Sequence, residues 1–221
     1  MKYHTVSSYD KELEKQRSSI SSLAKLFAKM LKIQEEAFET NDKSLSEQAD
    51  KLDQEINLFD KNIEDYAVVL IATRQPLAND LRFTLASIRV AVIIERMGDI
   101  VKNVIRRAST LKTGLIKNYS FSLVQMNQLL LKMLEMVIES FATNDEEIAV
   151  KVVSKDELMD SYYSDMIQAL QSNLPNSKDE MYDISQIVII AKNMERIGDY
   201  LSKFAQIIYS LQTGKKIKNN K

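Results

Sequence analysis

The chain is 221 residues long, with 30 basic residues, 31 acidic residues and a formal net charge of -1. It has no cysteine and one histidine, His4, which excludes disulfides, thiolate metal sites and histidine-rich metal centres. Four glycines and two prolines are too few to separate many short strands. Because the charges balance, the chain has no net field that would attract nucleic acid.

No segment of the sequence is predicted to enter a membrane. The N-terminal residues are polar, which is not typical of a signal peptide. Uninterrupted apolar runs, such as those at 90–94 and 187–190, are far shorter than the ~20 residues needed to cross a bilayer. We therefore expect a cytoplasmic protein that reaches a membrane only through its partners.

The residue pattern predicts an all-α protein with six long helices. Ser7 is a candidate cap for the first helix, Asn41 is one for the second, and Pro76 falls in the predicted first turn of the third. The predicted helices span about 8–39, 42–73, 76–111, 120–142, 145–172 and 178–213.

Capping boxes predict where the last two helices begin. Asn144 with Glu147 opens the fifth helix, and Ser177 with Glu180 opens the sixth.

The sequence repeats itself at an offset of 100 residues. Segment 95–99, ERMGD, recurs as ERIGD at 195–199, and LKTG at 111–114 matches LQTG at 211–214. Long helices with short connections favour antiparallel packing. We therefore predict two tandem, pseudo-twofold-related three-helix bundles, residues 1–114 and 115–221.

Each repeat keeps a glycine inside its third helix, Gly98 and Gly198. A helical glycine costs roughly 1 kcal/mol relative to alanine. Its presence in both repeats indicates a close approach of backbone or ligand, although shared ancestry alone also accounts for it.

Side chains with oxygen atoms that can bind a metal recur every three or four residues on the second and third helices. This spacing places them on one face of each helix. Oxygen-only clusters suit cations such as magnesium, calcium, manganese or iron. The candidate ligands are Asp53, Asn57 and Asp60 on the second helix and Glu95, Asp99 and Asn103 on the third.

A reduced version of this face is predicted in the second repeat. Its candidate ligands are Asp156, Asp160, Glu195 and Asp199. Lys203, Tyr163 and Ile167 stand where the first repeat has oxygen donors, so we expect the second cluster to bind metal more weakly.

Three interpretations of these faces remain open. The acids can bind metal, or they can form surface ion pairs with Arg96, Arg196 or Lys102 in a helical scaffold without a metal role. A metal-dependent phosphohydrolase would use the same carboxylates. A di-iron oxidase site is disfavoured because this chain lacks the histidines that such a site needs. Because no nucleophile or histidine base accompanies the acids, we favour a protein that is not an enzyme.

The segment RQPLANDLR at 74–82, followed by IERMGD at 94–99, resembles the PhoU family of accessory regulators of bacterial phosphate uptake. NMERIGD at 193–199 and YDKEL at 9–13, after His4 and Thr5, fit the same family. The likeness covers essentially the whole chain, and two ERxGD copies make it specific.

This resemblance implies a definite set of properties. It implies two three-helix bundles, and iron, zinc, magnesium or manganese bound at the E/D-x-x-x-D motifs and their partners on the second and fifth helices. It implies a negative regulator of the phosphate-starvation response that links the ATPase subunit of the phosphate ABC transporter to a sensor histidine kinase. A homodimer is expected, and nucleic acid is not an expected partner.

Charged residues surround the turn between the second and third helices: Arg74, Asp80 and Arg82. They can clamp the turn, which we prefer, or they can meet an acidic partner surface, because arginine binds carboxylates in a bidentate way.

Overall fold

The computed structural model describes residues 3–40 and 42–217, and in these ranges the chain forms six α-helices and no strand. The all-α prediction is confirmed. The helices are α1 Tyr3–Thr40, α2 Ser44–Arg74, α3 Ala78–Ala108, α4 Ile116–Thr143, α5 Glu146–Gln171 and α6 Lys178–Thr213.

The six helices form two bundles. Helices α1, α2 and α3 pack on one another, and α4, α5 and α6 do the same. Contacts of α1 with α4 and of α3 with α6 join the bundles. Arg107 near the end of α3 donates a 2.7 Å hydrogen bond to Gln186 near the start of α6. Arg82 near the start of α3 lines one groove with Leu211 near the end of α6, so these two helices are antiparallel. The predicted architecture of two three-helix bundles is confirmed, and the bounds 1–114 and 115–221 stay a prediction.

One hydrophobic core runs through both bundles. Phe141 on α4 stacks on Phe83 of α3 at 5.6 Å and meets Phe204 of α6 edge-on at 6.3 Å between ring centroids. A buried amide pair also crosses between the bundles, because Gln34 on α1 donates to Asn127 on α4 at 2.8 Å. The two halves therefore share apolar burial that neither would have alone.

Two of the residues predicted at helix starts, Ser7 and Pro76, lie elsewhere in the structure. Helix α1 begins at Tyr3, so Ser7 lies inside it and does not cap it. Helix α3 begins at Ala78, which leaves Pro76 outside its first turn. Asn41, the predicted cap of the second helix, lies outside the described residues.

The capping boxes divide into one correct and one wrong prediction. Asp145, not Asn144, caps α5, since Asp145 Oδ1 accepts from the backbone N–H of Glu147 at 2.9 Å. Asn144 instead ends α4 in the left-handed conformation, with φ of 56°. Ser177 caps α6 as predicted, by accepting from the Glu180 N–H at 3.1 Å.

Helix α4 is long and apolar enough to cross a membrane by length and composition, which counting uninterrupted apolar runs did not detect. Within the fold, 44% of that window is buried. Leu123, Leu130 and Val137 are fully buried on α4, and this helix packs against α1, α5 and α6. Its apolar face therefore already has partners inside the chain.

Candidate functional site

Four carboxylates converge where α2 and α3 meet. Burial raises the pKa of Glu95, and so do the negative charges of Asp99 on the same helix and of Asp60 and Asp53 on α2. Burial and the neighbouring Glu64 raise the pKa of Asp60 as well. The structure thus brings together the acidic ligands predicted for the first face, at a cost in electrostatic repulsion.

An ammonium group lies among these carboxylates. Lys102 Nζ is 2.6 Å from Asp53 Oδ2 and 2.6 Å from Asp99 Oδ1. The Asp53 side chain is 9% exposed and the Lys102 side chain 15%. Burial disfavours the charged lysine, but the hydrogen bonds to both carboxylates outweigh it and raise the Lys102 pKa. Lys102 is therefore a resident cation of the first face.

The first face is arranged around the Lys102 ammonium. In the described part of the chain, no group of three or more acidic or histidine side chains is arranged to hold a metal. Asn57 and Asn103 are exposed, one turn along from Asp53 and Asp99. One feature favours an additional cation, since Asp53 Oδ1 is buried and accepts no hydrogen bond from the described residues. Metal binding stays a prediction.

The second face contains its own lysine pair. Lys192 Nζ lies 2.7 Å from Glu195 Oε2, and the ammonium is 5.2 Å from the centre of the Tyr163 ring. Asp156 is buried, whereas Asp160 and Asp199 are half-buried. Their neighbour Lys203 is exposed and lies over the Tyr200 ring, 4.8 Å from its centroid.

The two internal glycines lie where helices approach closely. A Cβ at Gly98 would be 3.3 Å from Ile56 Cδ1 on α2. A Cβ at Gly198 would be 3.0 Å from Met159 Cγ on α5. Both contacts support the close-packing interpretation, and they place each acidic face beside a helix joint.

The charged residues near the turn between α2 and α3 do not form one cluster. Arg74 clamps α2 to α1 through two bonds to Glu12, at 2.8 Å to Oε2 and 2.7 Å to Oε1. These hydrogen bonds lower the Glu12 pKa. Burial and the nearby Asp80 raise the pKa of Tyr9 to about 12. Arg82 is exposed and lines a groove between α3 and α6.

Sequence reasoning missed a buried acid. Asp183 is fully buried and accepts hydrogen bonds from the N–H groups of Lys112 and Thr113. Its only local signal is an acid within the apolar stripe that continues at Ile187 and Ile190 on α6. The contact partners lie in the connection between the bundles, so periodicity could not reveal them.

The fold and these faces define a class of tandem three-helix-bundle proteins with charged helix surfaces. A family model described as PhoU domain matches residues 20–108 and 123–208, one match in each bundle. The chain belongs to the PhoU family.

Curated relatives match along nearly the whole chain. The phosphate-specific transport system accessory protein PhoU homolog of Rhizobium meliloti is 30% identical over 96% of this chain and 90% of the relative. The homolog of Caulobacter vibrioides is 29% identical over 98% of this chain and 95% of the relative. The resemblance drawn from the ERxGD copies is confirmed.

Two crystal structures share the fold. PhoU from Pseudomonas aeruginosa superposes with a TM-score of 0.84 at 25% identity, covering 94% of this chain and 100% of that one. The phosphate transport system regulatory protein PhoU from Streptococcus pneumoniae gives 0.86 at 26% identity, covering 96% and 100%. The similarity therefore spans both bundles and their junction.

Proposed function

We propose that this chain is a non-enzymatic negative regulator of phosphate uptake and of the phosphate-starvation response. The observation that carries the proposal is the match of both bundles to the PhoU domain. Relatives that align over nearly the full chain are named accessory proteins of the phosphate-specific transport system. Family membership therefore supports a role beside a transporter.

The proposed partners are the ATPase subunit of the phosphate ABC transporter and a sensor histidine kinase. Such a regulator needs at least two surfaces, and this chain has two of opposite charge. One is the acidic first face around Glu95, and the other is the groove lined by Arg82, Arg89 and Arg96. We also propose that the chain acts in the cytoplasm as a homodimer and reaches the membrane through its partners.

Within this proposal, the acidic faces join helices and bind cations. Lys102 fills that role at the first face, and the unpartnered Asp53 Oδ1 favours a metal ion as a second occupant. A phosphohydrolase has less support. Two-metal hydrolysis needs carboxylates that share ions about 3.5–4 Å apart, whereas Asp53 and Asp99 are both paired with Lys102.

Gene deletion combined with a binding assay tests the proposal. In phosphate-rich medium, we expect deletion to switch on a phosphate-responsive reporter and the full-length chain to restore repression. We also expect the purified chain to retain the transporter ATPase and the kinase, but not an unrelated transporter ATPase. An unchanged reporter together with no binding to either partner would refute the proposal.

A further inference from the structure

A cationic groove of about 940 Å³ runs between α3 and α6. Among the described residues that line it, the five charged side chains are all basic and exposed, and none is acidic. None of the five forms an ion pair with a described carboxylate. They are Arg82, Arg89 and Arg96 from α3, Lys203 from α6, and Lys216 just beyond it. The groove therefore concentrates positive charge on one surface of a chain whose net charge is -1.

The floor of the groove is apolar. Leu85 is 47% exposed, and Val92 and Ile93 are half-buried beside it on α3. Ile207 and Leu211 contribute from α6 and are also half-buried. A basic rim over an apolar floor suits a ligand that is both acidic and amphipathic.

The spacing of the lining residues matches a helical ligand. Arg82, Arg89 and Arg96 recur every seven residues, which is two helical turns, and Leu85 and Val92 repeat at the same interval. The stretch from Arg82 to Arg96 covers about 21 Å of helix. Two antiparallel helices that expose heptad-spaced faces form the seam in which a third helix packs.

At the opposite end of the same α3–α6 seam, basic charge is paired with an acid. There Lys112 pairs with Asp179 at 2.9 Å, and Asp183 holds the connection between the bundles. At the 100-residue offset, the first repeat has Asn79 and Phe83 in place of these two acids. The basic groove therefore depends on which residues lie at its end of the seam, and it does not follow from the fold alone.

We propose that this groove binds an acidic amphipathic helix of a partner protein. Carboxylates at seven-residue spacing face Arg82, Arg89 and Arg96, and the apolar stripe of the helix covers Leu85 and Val92. Arginine binds carboxylates in a bidentate way, and nucleic acid or free phosphate has no apolar stripe to cover the floor. This inference rests on the proposed regulatory function for the presence of a partner protein. The binding itself can be tested with purified components.

The test measures fluorescence anisotropy of a labelled helical peptide of about 18 residues mixed with the full-length chain. The peptide carries glutamate at every seventh position and a leucine stripe. One comparison peptide replaces glutamate by lysine, and another replaces leucine by serine. We expect only the acidic amphipathic peptide to bind, and its affinity to fall as salt is raised.

Variants of the chain locate the binding surface. We expect Arg89→Glu to weaken binding at least about tenfold, as central interface arginines do, and Leu85→Asn to weaken it as well. Lys132→Glu makes the same charge change at an exposed position of α4 outside the groove, and it leaves binding unchanged. Thermal unfolding of each variant shows that the fold is retained.

Several results overturn the proposal. One is no binding of the acidic amphipathic peptide, and another is equal loss with Arg89→Glu and Lys132→Glu. A third is binding of polyphosphate, an oligonucleotide or phosphatidylglycerol vesicles that depends on Arg89 but not on Leu85, which identifies a general polyanion surface. If the peptide fails to bind while the chain still represses the reporter, the groove assignment is wrong and the regulatory function stands. If the peptide binds but gene deletion leaves the reporter unchanged, the groove assignment stands and the regulatory function is wrong.

Discussion

The carboxylate of Asp183 accepts a 2.6 Å hydrogen bond from the hydroxyl of Thr113, 70 residues earlier in the chain. The same carboxylate accepts from the backbone N–H groups of Thr113 at 2.8 Å and of Lys112 at 3.0 Å. Because Asp183 is fully buried, its carboxylate depends on these protein donors for its hydrogen bonds. One side chain on α6 therefore fixes the connection between the two bundles.

We predict that Asp183→Ala lowers the free energy of unfolding by about 2–4 kcal/mol, since it leaves the Lys112 and Thr113 N–H groups and the Thr113 hydroxyl without their acceptor. Urea unfolding followed by circular dichroism measures the change. The control is Asp179→Ala, which removes an exposed ion pair with Lys112 and costs at most about 1 kcal/mol. Equal losses in the two variants would contradict the buried-network interpretation.

We predict that Lys102→Met lowers the free energy of unfolding by about 1–3 kcal/mol. The substitution leaves the buried Asp53 without its ammonium partner, and uncompensated buried charge is costly. Lys192→Met is the matched control in the second face, because Lys192 is half-exposed and pairs within its own helix. A smaller loss for Lys102→Met than for Lys192→Met in urea unfolding would count against a resident-cation role.

We also predict that removing Lys102 makes the first face respond to metal. Without the ammonium, no side-chain cation bridges the carboxylates of Asp53 and Asp99 beside Glu95, and such a cluster of oxygens attracts a divalent cation. Manganese or magnesium then raises the melting temperature of Lys102→Met more than that of the unmodified chain. Glu95→Gln added to Lys102→Met reduces this gain. An equal response in the unmodified chain shows instead that metal displaces Lys102 readily.

Glu95 gives a pH-dependent prediction. Its pKa is higher in the folded chain than in the unfolded chain, so folding favours the protonated carboxyl more than the ionised one. The associated stability is present below the ordinary pKa of 4.5 and is lost as the pH rises through the raised value. Glu95→Gln is therefore more stable than the unmodified chain at pH 7, by less than about 1 kcal/mol because the site is partly screened.

Urea unfolding at several pH values checks this prediction, and the gain from Glu95→Gln disappears as the pH approaches 4.5 from above. The control is Glu36→Gln on α1, where the side chain is exposed. A Glu95→Gln variant that is less stable at pH 7 would show that the carboxylate charge is compensated.

The glycines of the two ERxGD segments are predicted to respond differently to alanine. At Gly98 the added Cβ meets the end of the Ile56 side chain at 3.3 Å, which can shift. The helix gain of roughly 1 kcal/mol then offsets the crowding, and the net change is within about 0.5 kcal/mol. At Gly198 the Cβ meets Met159 Cγ at 3.0 Å, so Gly198→Ala destabilises by about 1 kcal/mol or more.

Chemical unfolding of the two alanine variants side by side checks this order. If both variants gain about 1 kcal/mol, the glycines are retained for a reason other than close helix packing.

Helix positions were predictable because their signals are local. Ser177 caps α6 as expected, since its hydroxyl and the Glu180 N–H are three residues apart. The sequence predicts Asn144 as the cap of α5, which is wrong, because Asn144 and Asp145 are both good capping residues. Only the backbone conformation separates them, with Asn144 left-handed and Asp145 extended.

The acidic faces show the boundary between local and long-range information. Four-residue spacing correctly placed Glu95 and Asp99 on one face of α3, because helical periodicity links neighbours in sequence. It could not show that Lys102 reaches Asp53 across the α2–α3 joint, 49 residues away. Nor could it show that Arg74 turns to Glu12 whereas Arg82 lines the groove.

The sequence by itself determined the six helices, the two repeats and the residues that share each helix face. All of these follow from the helical period of 3.6 residues and from a repeat that is visible in the chain. The tertiary structure alone decided which charges are paired: Lys102 with two carboxylates, Asp183 with the inter-bundle connection, and the groove arginines with no described carboxylate. The reason is that pairing between helices depends on their register and separation, which arise from packing between residues distant in the sequence, such as the close approach of Gly98 to Ile56.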